Sequence, residues 1–228
     1  MKKFAIIVAG GTGNRMGTDI PKQFLKLGGR PILMHTMEQF VKYDPEIKIV
    51  LVLPQSQLNY WLQLCKTHQF SLNHEILFGG QTRFQSVQNG LKAVTENGIV
   101  FIHDGVRPLV SLATLERCFE MADKYGNAIP VLPVTESLRK NDGNRTVSVD
   151  RSLFYSVQTP QTFRTEQIMK AYQQDFDPAF TDDASVAEKA GYSITMVDGN
   201  PENIKITNPT DLIFAEALLR NIDFLSEK

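Results

Sequence analysis

Cysteine is scarce: the 228-residue chain holds two, Cys65 and Cys118, far apart in helical-looking stretches. With no CxxC pair and no framework spacing, a disulfide scaffold is excluded, and free thiols in a reducing compartment are expected. The four histidines, His35, His68, His74 and His103, share no ligand spacing, which argues against a zinc site. Long apolar runs are missing too; none approaches the roughly 18 residues of a membrane span. The run Phe4–Ala9 behind Met1-Lys2-Lys3 is too short for a signal peptide and ends in glycines and Arg15 instead of a cleavage site. An excess of charge of one sign is lacking: the formal net charge is −1, so no global field draws nucleic acid or an acidic membrane. Neither GxSxG nor HExxH occurs, which removes the common serine-hydrolase and zinc-peptidase chemistries. A cytoplasmic protein without nucleic-acid or membrane partners is expected.

What is present is an ordinary globular composition, 42% hydrophobic and 21% charged, organised as short β-branched runs alternating with longer amphipathic stretches. Strands are expected at Phe4–Val8, Lys48–Leu53, Glu75–Phe78, Ile99–His103, Ala128–Leu132 and Tyr192–Val197. Helices are expected at Ile32–Tyr43, Gln57–His68, Thr82–Glu96 and Leu112–Tyr125, with a last helix opened by Asn208 as cap and Pro209 in its first turn. This alternation predicts an α/β fold, a mainly parallel sheet with helices on both faces, whose ligands sit outside the carboxyl ends of the strands. Thr135–Ser156 breaks the rhythm. It is polar, with an Asp142-Gly143 turn between two strand-like arms, and reads either as a solvated hairpin or as an arm packing on a second subunit.

The first strand runs straight into AGGTGNRMG, Ala9 to Gly17. Backbone N–H groups in such a loop can approach phosphate oxygens. The loop is no dinucleotide fingerprint, because Met16 stands where the third glycine belongs, and no Gly-Lys-Ser/Thr triplet makes it a P-loop. Arg15 and then Pro21-Lys22-Gln23 follow, suiting the loop to a large anion by another route.

Four further stretches fall at or near strand ends, and one later run carries a lysine. FGGQTR (Phe78 to Arg83) reads as a strand-to-helix turn capped by Thr82, with Gly80 and Ser86 open to a ligand. HDGVRP (His103 to Pro108) offers Asp104 to a metal or hydroxyl and Arg107 to a phosphate, or the two to each other as an ion pair. SVQTPQ (Ser156 to Gln161) clusters small polar groups, with Arg151 just upstream. FTDDAS (Phe180 to Ser185) reads as a helix start rich in acids. In NIKIT (Asn203 to Thr207) one lysine, Lys205, interrupts an apparent strand and points either to solvent or to a phosphate. Together Arg15, Lys22, Arg83, Arg107, Arg151 and Lys205 lie in glycine-, proline- or hydroxyl-rich loops, a pattern that calls for a polyanionic ligand.

In order, VAGGTGNRMG with PKQF, GGQTRFQS, HDGVRP, DRSLFYSVQTPQTF, TDDAS and NIKIT span nearly the whole chain, and the set resembles the 2-C-methyl-D-erythritol 4-phosphate cytidylyltransferases. The resemblance implies one Rossmann-like nucleotidyltransferase domain over 1–228, CTP as co-substrate with Mg²⁺, and a homodimer in which the Thr135–Ser156 arms complete each other's sites. It implies that Ala9, Gly10, Gly11 and Gly13 line the triphosphate, with Gly80 and Ser86 near the base or ribose. Arg15 and Lys22 match the pair that stabilises the triphosphate, and Arg151 and Lys205 match residues that position the sugar phosphate. Asp104, Arg107, Ser137, Thr159 and Thr181 match the remaining substrate contacts, some across the dimer, and the metal ligand is left open. Gly105 and Ser137 stand where that family commonly has alanine and threonine. A ribitol-5-phosphate cytidylyltransferase shares the CTP loop and QTPQ, and a non-catalytic nucleotide-binding module on the same fold is the reading from another class.

Overall fold

The computed structural model describes residues 1–11 and 20–226. Its elements are β1 (Lys2–Val8), β2 (Lys26–Leu27), β3 (Arg30–Pro31), α1 (Ile32–Tyr43), β4 (Lys48–Leu53), α2 (Leu58–Thr67), β5 (Glu75–Phe78), α3 (Arg83–Leu91), β6 (Gly98–Asp104) and α4 (Leu112–Tyr125). They continue with β7 (Asn127–Pro133), β8 (Leu138–Asn141), β9 (Thr146–Val149), β10 (Tyr155–Val157), β11 (Gln161–Arg164), α5 (Thr165–Ala171), α6 (Asp183–Lys189), β12 (Met196–Asp198) and α7 (Pro209–Ser226).

Strands β5, β4, β1 and β6 lie side by side and parallel. Their residues alternate between two apolar layers. Ala5, Ile7, Ile49, Leu51, Ile99 and Phe101 face Leu33, Met37 and Phe40 of α1, Trp61 of α2 and Leu115 of α4. Phe4, Ile6, Val50, Val52, Val100 and Ile102 face Phe84 and Val87 of α3, Ile168 of α5 and Val186 of α6. A strand buried on both faces must be apolar throughout, which is why these runs carry no polar alternation.

One strand runs against the others. β10 pairs antiparallel with β7, and β11 pairs antiparallel with both β7 and β6. The two are segments of one line of chain, and their register on β7 slips by two residues between Val157↔Val131 and Thr162↔Ala128. β12 flanks β7 in parallel on its other side. The mainly parallel Rossmann-like sheet with helices on both faces is thus present, with one antiparallel strand that the polar, proline-containing run SVQTPQTF does not announce.

Three elements differ from expectation. The helix opened by Thr82 stops at Leu91, where successive tight backbone turns from Asn89 to Val94 replace it. The strand expected at Tyr192–Val197 is confined to Met196–Asp198; Thr195 instead holds β7 through its carbonyl to the Ile129 N–H and its N–H to the Asn127 side chain. Asn203–Thr207 forms no strand; its apolar residues pack singly, Ile206 being fully buried and its N–H bonded to the Val106 carbonyl. The hairpin is where the sequence places it: β8 and β9 pair from Leu138↔Val149 to Asn141↔Thr146 around Asp142-Gly143. It is mostly exposed and makes its own two-stranded sheet.

Candidate active site

The carboxyl ends of β1, β4, β5 and β6 open onto one cleft of about 430 Å³. Val8 to Gly11, Lys22, Gln23, Pro54, Gly79 to Arg83, Ser86, Asp104, Val106 and Lys205 line it. Gly13 and Arg15 lie outside the described residues.

β1 delivers the glycines. Ala9 donates its N–H to the Val52 carbonyl at 2.8 Å, which fixes where the strand ends. A side chain at Gly10 would meet nothing within 4 Å, so this glycine leaves open space. At Gly11 a Cβ would stand 2.9 Å from Lys22 Cε, so the absence of a side chain lets Lys22 lie across the loop.

Lys22 opens a single 3₁₀ turn, Lys22–Phe24, held from both neighbours. The Gln23 amide nitrogen donates to the Ala9 carbonyl at 2.9 Å and to Gln57 Oε1 at 2.6 Å. Phe24 is buried, stacked on Trp61 at 6.1 Å and edge-on to Tyr60 at 5.3 Å. The strand end, the turn that enters α2 and the lysine's own turn are thereby bonded to one another. In the sequence Gln23 stands out only as part of a motif; its total burial is visible only in three dimensions.

The turn after β5 is built around the cap of α3. Thr82 Oγ1 accepts from the Gln85 N–H, and the Gln85 side chain returns to the Thr82 N–H, a reciprocal capping box. Ser86 Oγ accepts from the Gly80 N–H at 3.1 Å and donates to the Thr82 carbonyl at 2.9 Å. A Cβ on Gly80 would fall 2.3 Å from Gln85 Cβ, so only glycine fits against this cap. Ser86 accordingly shapes the cleft wall at Gly79-Gly80.

Asp104 ends β6 and is nearly buried. Its Oδ2 accepts from Lys205 Nζ at 3.0 Å and Arg107 Nε at 3.3 Å. Burial by itself would raise its pKa, but Lys205, Arg83 and Arg107 outweigh burial and hold the carboxyl well below the usual carboxylate range. The ion-pair reading of Asp104 and Arg107 is therefore realised, and with Lys205 added the cluster keeps an excess of positive charge at the cleft. Arg107 also donates through Nη1 to the Asn203 carbonyl at 2.7 Å.

Arg83 departs from the expectation that it serves an anionic ligand. Its guanidinium forks onto the fully buried Asp183 at 2.8 and 2.5 Å, and the Tyr172 hydroxyl donates to the same carboxylate at 2.6 Å. Asp182 caps α6 through the Ser185 N–H. Gln161 of β11 donates to Asp182 Oδ2 at 2.7 Å and accepts from the Ala184 N–H at 2.8 Å. Of the two TDDAS acids, Asp182 thus caps a helix and Asp183 neutralises a cleft cation.

The remaining positions lie apart. Thr159 is buried, its hydroxyl bonded to the Asp104 N–H and to His103 beneath the cleft floor. Thr181, before α6, is exposed. Ser137 and Arg151 sit exposed at the base of the hairpin, where Arg151 donates to the Thr135 carbonyl. Neither lines the cleft of its own chain. Among the described residues no three His, Cys, Asp or Glu groups gather as a metal cluster, and no helix is long and apolar enough to cross a membrane. Cys118 is buried and Cys65 partly so, burial pushing their thiols up to about 12 and about 11.

Comparison with known proteins bears on this geometry. The family model for 2-C-methyl-D-erythritol 4-phosphate cytidylyltransferase matches residues 4–221. The cytidylyltransferase of that name from Bacteroides thetaiotaomicron is 52% identical over 219 residues, 96% of this chain and 100% of the relative. That from Phocaeicola vulgatus is 50% identical with the same coverage. Among solved structures, the 2-C-methyl-D-erythritol 4-phosphate cytidylyltransferase of Thermus thermophilus superposes with a TM-score of 0.77 at 32% identity, covering 96% of this chain and 100% of that one. The 4-diphosphocytidyl-2C-methyl-D-erythritol synthase of Anaerococcus prevotii superposes with a TM-score of 0.81 at 28% identity, covering 96% of each.

Proposed function

This chain belongs to the 2-C-methyl-D-erythritol 4-phosphate cytidylyltransferase family, and from that premise we propose how its cleft performs the reaction. The enzyme joins CTP and 2-C-methyl-D-erythritol 4-phosphate to give 4-diphosphocytidyl-2-C-methyl-D-erythritol and pyrophosphate, a step in isoprenoid precursor biosynthesis. The observation that carries the mechanism is the meeting, in one cleft, of the β1 glycines, Lys22, the Gly79-Gly80 turn and the Asp104–Lys205 pair.

The phosphate monoester attacks the α-phosphorus of CTP and pyrophosphate leaves. The nucleophile is already ionised at neutral pH, so no general base is needed. The task is to bring two anions together in line and to disperse charge as the α-phosphorus becomes pentacoordinate. Gly10, Gly11 and Gly13 receive the triphosphate with backbone N–H groups, Ala9, whose own N–H is held by the Val52 carbonyl, lines the same loop, and Gly80 and Ser86 shape the wall for base or ribose. Arg15 and Lys22 meet the charge on the phosphates. Lys205 receives the sugar phosphate, oriented by Asp104, which Arg107 holds from outside the cleft lining, with Arg151, Ser137 and Thr181 contributing from the arm and the α6 loop. Catalysis by positioned cations explains why the sequence carries neither GxSxG nor HExxH.

Mg²⁺ fits the donor set. It dehydrates reluctantly and commonly takes one or two carboxylates plus substrate phosphates, and Asp104 is the carboxylate lining the cleft among the described residues. Asp104 would hold the ion from the protein side, and its charge would offset that of the substrate phosphates.

We further propose a homodimer. The segment that follows the hairpin exposes Leu153, at 76%, with Phe154, Tyr155 and Val157, an apolar run unusual on a free surface. A second copy covering it would bring Arg151 and Ser137 to the neighbouring cleft.

The test is pyrophosphate release with CTP, comparing 2-C-methyl-D-erythritol 4-phosphate with ribitol 5-phosphate, each with Mg²⁺ and with EDTA. Turnover of the first alone, abolished by EDTA, is expected. Preference for ribitol 5-phosphate would overturn the substrate, undiminished rates in EDTA the metal, and no release with either the catalytic reading as a whole.

A further inference from the structure

His103 is fully buried one residue before Asp104, in edge contact with Phe40 at 5.1 Å, and the mechanism above gives it no task. Both ring nitrogens are engaged: Nε2 lies 3.0 Å from the Arg107 carbonyl and Nδ1 lies 3.0 Å from Thr159 Oγ1. A carbonyl can only accept, so Nε2 carries the proton and Nδ1 offers a lone pair. The Thr159 hydroxyl must then donate to Nδ1, which leaves its oxygen to accept from the Asp104 N–H at 3.1 Å. Every donor and acceptor is matched in one direction only.

This line of bonds continues into a ring. Arg107 donates to the Asn203 carbonyl at 2.7 Å, and the Asn203 amide donates to the Thr159 carbonyl at 2.8 Å. Asp104, Thr159, Asn203, Arg107 and His103 thus close on one another beneath the cleft, with Lys205 following Asn203 closely in the chain. The Asp104–Arg107 turn itself has one further backbone bond, Arg107 N–H to Asp104 carbonyl at 3.1 Å. An aliphatic residue would fill the same space without the desolvation cost of a buried imidazole, so the polar ends of His103 are what this position uses.

We infer that His103 is a positioning residue for the sugar phosphate: through Thr159 and the Arg107 carbonyl it sets the turn that aims Asp104, Arg107 and Lys205. This rests on the assignment of Lys205 to the sugar phosphate. The His103 side chain does not line the cleft, and its two side-chain bonds reach neither Lys22 nor α3 on the nucleotide side.

The experiment measures KM for each substrate in the full-length enzyme and in three variants. His103→Phe keeps the ring and its packing but loses both polar ends, leaving two buried groups unpaired; Thr159→Val cuts the chain at its middle; His103→Gln retains a donor toward the Arg107 carbonyl. Loss of such a contact predicts a rise of about tenfold in KM for the sugar phosphate in His103→Phe and Thr159→Val. KM for CTP is expected to stay within about twofold, since the Lys22 turn is held by Gln23 and the Gly79-Gly80 turn by the cap of α3, and His103→Gln should partly recover the sugar-phosphate KM. A merely structural histidine would lower the melting temperature without separating the two KM values. Equal changes for both substrates, or none in the variants that fold, would overturn the inference. If the wild-type enzyme fails to turn over the sugar phosphate at all, the reading of the cleft falls first and takes this one with it.

Discussion

Lys205 and Arg107 meet on a single oxygen: Asp104 Oδ2 stands 3.0 Å from the ammonium and 3.3 Å from the guanidinium. Because Arg107 remains on that carboxylate when the lysine is removed, Lys205→Met is expected to fold normally. A lost charge-assisted bond to phosphate predicts kcat/KM for the sugar phosphate reduced by about 10–100-fold, with CTP binding little changed. Steady-state kinetics beside a thermal melt separates the two; a collapse of the melting temperature would show that Lys205 is mainly structural.

Lys22 lies across Gly11 on a turn clamped by Gln23 and Phe24, so its ammonium is placed before substrate arrives. Lys22→Ala is expected to lower kcat by about 10²–10³-fold with a much smaller effect on KM for CTP, by comparison with loss of an oxyanion donor. A kcat within a few-fold of wild type would remove Lys22 from the transition state.

Arg151 sits in the arm, outside the cleft of its own chain. Arg151→Ala is expected to raise KM for the sugar phosphate and leave CTP affinity nearly intact, in a protein that sediments as the wild type does. Parallel loss of CTP binding would mean that the arm itself had been displaced.

Arg83 is the partner of a carboxylate that has no access to solvent. Arg83→Met strands Asp183 with the Tyr172 hydroxyl alone, and breaking such a pair costs about 3 kcal/mol, at the lower end because the arginine is partly exposed. Urea unfolding measures this. A loss below about 1 kcal/mol would place the pair among ordinary surface bridges.

Acid should weaken the fold before it protonates most carboxylates. Burial holds His103 down at about 4 from 6.5, and burial lowers His35 as well. The unfolded chain takes up these protons near pH 6.5 and the folded chain only at lower pH, so the stabilisation is present above 6.5 and lost as pH falls toward 4. His103 alone accounts for about 3 kcal/mol of that slope. Asp104, also lowered, acts in the same sense but only below its ordinary value of 3.8. Unfolding midpoints at several pH values should flatten in His103→Phe; an unchanged slope would locate the titration elsewhere.

The central strands were legible because burial on both faces forces unbroken apolar runs such as KIVLVL. β10 and β11 were not, since a short polar stretch with a proline resembles a loop until neighbours supply its partners. NIKIT misled in the other direction: Ile206 is apolar because it is buried, not because it is paired in a sheet. Loop cations and glycines signalled the cleft by their chemistry, but nothing local shows that Arg83 answers an aspartate one hundred positions away, Asp183. Gln23 and His103 escaped for a related reason. Their importance lies in what they hold, and each is a common residue in an ordinary local context.

Tyr155 pairs with Pro133, so the chain re-enters the main sheet beside the point where it left. Everything between those two residues is a detour, topologically separable from the nucleotide cleft. Lineages could lengthen, shorten or restyle it while the sheet stayed closed behind it. If the arm serves a second copy as proposed, partner choice and sugar-phosphate preference are free to drift together while the handling of CTP stays untouched.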